Sequence, residues 1–90
     1  MSHSEIQHEI CSFIEKELLN DDSISLKPET PLLELGILDS LKMTELVAFI
    51  EQHYQISLMP EDISPAYFNH LVSISKLVVE RIQQGKNAAA

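Results

Sequence analysis

Apolar residues fall at helical spacing in three stretches of this chain, with punctuating residues between them. In the first, Ile6, Ile10, Phe13, Ile14 and Leu18 share one face, behind two overlapping capping boxes, Ser2-x-x-Glu5 and Ser4-x-x-Gln7. That helix is expected to end near Asn20. In the second, Met43, Leu46, Val47, Ile50 and Tyr54 are spaced to face a core, which predicts a helix from Ser40 to about Tyr54. In the third, Ile74, Leu77, Val78 and Ile82 line one side of a helix capped by Ser73. Arg81 would suit the negative end of that helix and Gly85 would stop it. Ser64-Pro65 marks the start of a short further helix through about His70, anchored by Tyr67 and Phe68. No stretch reads convincingly as a strand. The expected fold is all-α, a small bundle of three main helices and one short helix in a single domain over 1–90, with a core over about 4–84 and a frayed tail from 85 to 90.

Between the first two helices, from Asn20 to Leu38, lie Asp21, Asp22, Ser23, Ser25, Pro28, Thr30 and Pro31, the composition of a long loop. Loops of this length are functional or disordered. Leu26, Leu32, Leu33, Leu35, Ile37 and Leu38 give this one enough apolar surface to pack onto helices, so a structured loop is predicted. Thr30 can cap a short helical turn that begins at Pro31, and Gly36 can supply the positive φ angle that ends it.

Ninety residues suffice for one small domain, which leaves little core for an elaborate active site. No apolar run approaches a membrane span, and the N-terminus Met1-Ser2-His3-Ser4-Glu5 lacks the features of a secretory signal. The lone Cys11 cannot form an internal disulfide, so a soluble protein of the reducing cytoplasm is expected. Fourteen acidic residues against six basic ones give a formal net charge of -8, the wrong sign for a nucleic-acid backbone. Such charge maintains solubility or steers the domain toward basic patches on other proteins.

The ingredients for catalysis by the chain itself are poor. His3, His8, His53 and His70 show no zinc-type spacing with one another or with Cys11, which reads as a small semi-buried thiol beside the apolar face of the first helix. Asp21 and Asp22 lack the spaced carboxylates and central glycine of a calcium loop and read as solvating residues. Ser40 stands out because it lies where the glycine-broken segment becomes a helix, beside unpaired N–H groups and the positive end of the dipole, where an esterified phosphate is tolerated. Its surroundings form no glycine-flanked nucleophile elbow, and no base is evident. Asp39 and Ser40 are both favoured N-caps, so the pair could serve only to start a helix. Against that, neither choice of cap completes a capping box, and Leu41 begins a partly exposed apolar strip continued by Thr44 and Ala48.

Gly36-Ile37-Leu38-Asp39-Ser40-Leu41 resembles the attachment motif of acyl and peptidyl carrier proteins, with Ser40 matching the serine that bears phosphopantetheine. Asp-Ser-Leu alone is a weak signal. The likeness extends to Thr30-Pro31-Leu32-Leu33-Glu34-Leu35-Gly36, the helix through Glu51, the Tyr67-Phe68 pair and the final amphipathic helix, roughly Ser4 to Gln84. It implies that a phosphopantetheinyl transferase moves 4'-phosphopantetheine from coenzyme A to Ser40 and that the arm's thiol holds cargo as a thioester. By the same resemblance Asp39 supports attachment, Leu41, Thr44 and Ala48 contact partner enzymes, and the carrier itself performs no bond chemistry.

The fatty-acid branch of that family has a densely acidic second helix, whereas here Lys42 follows the motif, Phe49 is bulky and the carboxylates thin to Asp39, Glu45 and Glu51. Recognition is thus expected to depend more on apolar contact than on charge. Met59 stands where relatives often have proline. The pattern is closer to discrete peptidyl or aryl carriers of nonribosomal-peptide-type secondary metabolism and antibiotic biosynthesis, and Thr30 to Ser40 resembles stand-alone carriers loaded with proline or its pyrrole derivative. The resemblance implies a monomer charged by an adenylating enzyme and read by oxidase, condensing or thioesterase enzymes. A carrier of fatty-acid or polyketide synthesis and an uncharged acidic helical adaptor are the alternatives.

Overall fold

Isoleucines four residues apart build the first wall of the core. The computed structural model describes residues 3–20 and 25–89, with side chains described to Gln84. Helix α1 runs His3–Phe13, and Ile6, Ile10 and Ile14 are fully buried along it. The helix is already formed at His3, so Ser4-x-x-Gln7 is not its start, while Ser2 falls outside the described residues. Its last turn, Ile14–Leu18, widens into a π-helix closed by Leu19 N–H on the Ile14 carbonyl at 2.9 Å. Asn20 ends it with a φ of 51°, a left-handed conformation that asparagine tolerates.

The π turn has a visible use. It carries Glu15, whose Oε2 accepts the Leu26 N–H at 2.7 Å and so pins the returning loop to α1. The Cys11 thiol is half-buried beside it, with Sγ 3.5 Å from the same carboxylate oxygen and 3.9 Å from the Leu26 carbonyl. The sequence reading of Asp21 and Asp22 lies outside the described residues.

Beyond Leu26 the loop is structured as expected, with Leu26, Leu32 and Leu38 in the core. A single helical turn closes through Leu35 N–H on the Pro31 carbonyl at 3.0 Å, and Gly36 leaves it at a φ of 74°. Thr30 does not cap that turn. Its Oγ1 accepts the Lys27 N–H at 2.9 Å, so the hydroxyl closes the preceding bend instead. Asn69 fastens the loop from the far side: its carbonyl takes the Leu32 N–H at 2.7 Å and its Oδ1 the Leu33 N–H at 3.0 Å.

Helix α2 spans Ser40–Tyr54, the limits its periodicity predicts, and buries Leu46, Ile50 and Tyr54. Its C-terminal half is tied to α1. The Phe13 and Phe49 rings stack with centroids 4.1 Å apart, His53 stacks on Phe49 at 5.0 Å, and the Tyr54 hydroxyl donates to Glu9 Oε1 at 2.7 Å. Gln55 closes α2 in a left-handed conformation. A 3₁₀ turn, Pro60–Asp62, precedes the short α3, Pro65–Phe68, which stops before His70 because Asn69 is diverted to the loop. Phe68 is fully buried, but Tyr67 is 39% exposed and does not anchor.

Helix α4 spans Leu71–Ala89 and packs mainly against α1, placing Ile74, Leu77 and Val78 in the core. It begins two residues before Ser73, so Ser73 lies within its first turn rather than capping it. Gly85 does not stop it: the helix continues through 86–89. Arg81 is consequently far from the last turn, and the dipole does not explain it. It pairs instead with the buried Asp62: Arg81 Nε lies 3.0 Å from Asp62 Oδ2, and Nη2 donates to Oδ1. The described residues contain no strand and no helix long and apolar enough to cross a membrane.

Candidate functional site

The loop delivers the chain to the head of α2 through one buried residue, Leu38, followed by the extended Asp39. Asp39 is the N-cap, which resolves the choice left open by the sequence. Its Oδ1 accepts the Lys42 N–H at 2.9 Å, its carbonyl accepts the Met43 N–H at 2.7 Å, and Lys42 Nζ lies 3.4 Å from Oδ2. The Lys42 backbone N–H chiefly, and then its ammonium group, holds the Asp39 carboxyl below the usual carboxylate range.

With Asp39 as cap, Ser40 becomes the first helical residue. It is exposed, and its hydroxyl has no hydrogen bond among the described residues, while its carbonyl accepts from Thr44 Oγ1 at 3.0 Å. The residue is therefore free of the structural task that a serine at a helix start usually performs. An open primary hydroxyl with no base bonded to it is a weak nucleophile but an accessible substrate for an external enzyme. The positive end of α2 is already shared with Asp39, so a phosphate ester on Ser40 would lie near one carboxylate and the Lys42 ammonium rather than against bare N–H groups.

Leu41 is 68% exposed, and Thr44 and Ala48 lie on the same solvent-facing side of α2, so the apolar strip expected from the sequence is open to solvent. Leu35, on the preceding turn, is 63% exposed. On its other flank Ser40 borders a cleft of about 290 Å³ lined by Met43, Thr44, Val47 and Ile63. Ile63, which follows the 3₁₀ turn, has no motif signal in the sequence; only the fold brings it to the serine. Glu51, at the other end of α2, is engaged within the fold. It is half-buried, and its Oε2 accepts the Leu58 N–H at 2.9 Å. Phe49 is likewise engaged in the aromatic stack with Phe13.

The four histidines are dispersed, and no three His, Cys, Asp or Glu side chains among the described residues converge as metal ligands. The site thus consists of one unengaged hydroxyl, its cap, a lysine, and apolar side chains on either side. A covalently attached group suits it, because esterification of Ser40 would break no hydrogen bond and displace no packed atom of the fold.

Comparison with known proteins agrees with that chemistry. Residues 9–78 match the family model described as the phosphopantetheine attachment site. The chain is similar to a probable acyl carrier protein, PigG, of Serratia sp. (strain ATCC 39006), at 32% identity over 73 residues covering 81% of this chain and 84% of that protein. It is also similar in structure, with a TM-score of 0.72 and 39% identity, to a chain in a solved structure described as the crystal structure of an FAD-dependent dehydrogenase. That match covers 77% of this chain and 97% of the other.

Proposed function

This chain belongs to the phosphopantetheine attachment-site family of carrier proteins, and on that footing we propose that Ser40 is the residue to which 4'-phosphopantetheine is joined and that the cargo is an aminoacyl group. The family carries the arm covalently and is not itself catalytic. When bound, the arm supplies a terminal thiol that holds an acyl group. The chain's own residues do the rest: Asp39 fixes the helix start, Ser40 offers an unbonded hydroxyl to a phosphopantetheinyl transferase, and Leu41, Thr44 and Ala48 give partner enzymes an apolar strip to read. The observation that carries this reading is the open hydroxyl of Ser40 at the first position of α2, inside the matched region.

One feature favours an aminoacyl carrier over a fatty-acid carrier, and a second points to a partner. Of the carboxylates along α2, Glu51 is turned to the Leu58 N–H and the exposed Asp39 is paired with Lys42, so this helix offers a partner little acidic surface beyond Glu45. Contact with partners then depends on apolar side chains. Second, almost all of the chain matched in the dehydrogenase structure is covered by three quarters of these 90 residues, so that chain is itself no larger than this one. We read it as a carrier accompanying the flavoenzyme. A flavin dehydrogenase is therefore among the partners proposed here, with proline or its pyrrole derivative as cargo and an adenylating enzyme as the source. The cytoplasm is the setting that accords with this role.

Intact-mass measurement tests the attachment site. The purified chain incubated with coenzyme A and a broad-specificity phosphopantetheinyl transferase is expected to gain one arm, and Ser40→Ala to gain none. An unchanged mass in the wild type overturns the carrier reading, and charging of Ser40→Ala overturns the site. Given ATP, proline and a proline-adenylating enzyme, the holo protein is expected to gain a prolyl group. Transfer of a fatty acyl group by a fatty-acyl synthetase, with no prolyl transfer, would support the fatty-acid alternative.

A further inference from the structure

The cleft beside Ser40 has two walls of different construction. One is α2 itself, through Met43, Thr44 and Val47, whose partly buried Met43 and Val47 pack on the core. The other is Ile63, which is 38% exposed and belongs to the link between α2 and α3. That link enters the core at Leu58 and again at Phe68. Between those two points Met59, Pro60, Glu61, Ile63, Pro65, Ala66 and Tyr67 are exposed and Ser64 is half-buried; the buried residue is Asp62, at 3% exposure. Apolar packing therefore does not hold the middle of this segment.

Asp62 is held by polar contacts from its own turn and from α4. Its Oδ2 accepts the Met59 N–H at 2.9 Å, which folds the 3₁₀ turn, and both carboxylate oxygens accept from Arg81 of α4. Arg81 Nη1 in turn donates to Gln84 Oε1, so the guanidinium is steadied on its own helix. A planar fork meeting a carboxylate at two points fixes orientation as well as distance, which a single ammonium contact does not. The residue next to this joint is Ile63, with its N–H on the Pro60 carbonyl at 3.2 Å.

We propose that Arg81 and Asp62 are positioning residues for the Ser40 site, acting through Ile63: they hold one wall of the cleft in place from α4, so that an enzyme approaching the serine meets a preformed surface. This rests on Ser40 being the attachment residue. Breaking the joint would leave the core intact but let Ile63 sample other positions, and each productive encounter would then require that segment to be ordered first. The cost should appear in how well the transferase recognises the carrier, not in the transfer step once bound.

The test is steady-state charging of the apo protein, read by intact mass, at a temperature well below the melting point of every variant, with melting followed by circular dichroism. Arg81→Met and Asp62→Asn are expected to raise the KM for the carrier about fivefold with kcat changed less than about twofold, and Arg81→Lys to recover only part of the loss. Ile63→Ala, an exposed change that leaves the fold intact, is expected to raise KM by a similar factor. Combined with Arg81→Met it should add little, because both act through one side chain. Wild-type KM in folded Arg81→Met, or full additivity with Ile63→Ala, would overturn the inference. Failure of the wild type to charge at all would instead overturn the carrier reading on which this inference rests.

Discussion

At its first turn α2 presents Ser40 with an unbonded hydroxyl and Leu41 open to solvent, whereas in its C-terminal half Phe49, His53 and Tyr54 are locked against Phe13 and Glu9 of α1. The stack and the Tyr54 hydrogen bond hold the helix in the bundle from one end, so the other end can be left polar, capped and chemically available. A serine that contributed to the core or to the cap would be altered structurally each time it was modified. Here the two duties are separated by the length of one helix.

The separation can be broken experimentally in order of effect. Ser40→Ala should abolish charging completely yet shift stability by no more than about 0.5 kcal/mol, the usual range for a surface change away from a structural contact. That is a sharper expectation than the sequence allows, since the cap is now Asp39. Leu46→Ala should do the reverse, costing about 2–5 kcal/mol in denaturant unfolding because the side chain is fully buried, with charging preserved wherever the protein remains folded. Tyr54→Phe removes the bond to Glu9 and should cost about 1 kcal/mol without any effect on the charging rate, which would confirm that the far end of α2 is purely structural.

The smallest effect should come from Asp39. Its folded carboxyl titrates below its unfolded value, so the unfolded chain binds more protons in acid and the stabilisation by the cap is complete above the usual carboxylate range. It should fade as pH falls below about 4 and vanish below the folded value. Asp39→Ala should therefore melt slightly earlier than wild type at neutral pH, with the two curves converging in acid. Melting curves that stay equally separated at every pH would show that the charge of Asp39 is not what stabilises the helix start.

Much of this was legible in the chain because the signals are local. Leu46, Ile50 and Tyr54 recur at helical spacing, Gly36 takes the positive φ of such a turn without steric cost, and Asp39-Ser40 announces a helix start. What escaped depends on residues distant in sequence. Asp62 and Arg81 are 19 positions apart and meet only because the 3₁₀ turn folds onto α4, while Asn69 reaches back 36 positions to the loop. The end of α4 was misjudged for another reason: one glycine costs a helix only about 1 kcal/mol, which the surrounding turns can absorb.

The small contact between Cys11 and Glu15 has a consequence for cargo. Burial first, and then the neighbouring carboxylate, pushes the Cys11 thiol up to about 11, so it stays protonated at physiological pH. Exchange of a thioester onto another sulfur requires a thiolate. A protein of a family that keeps an acyl group on one particular thiol thus carries its own sulfur half-buried and almost wholly in the less reactive protonated form.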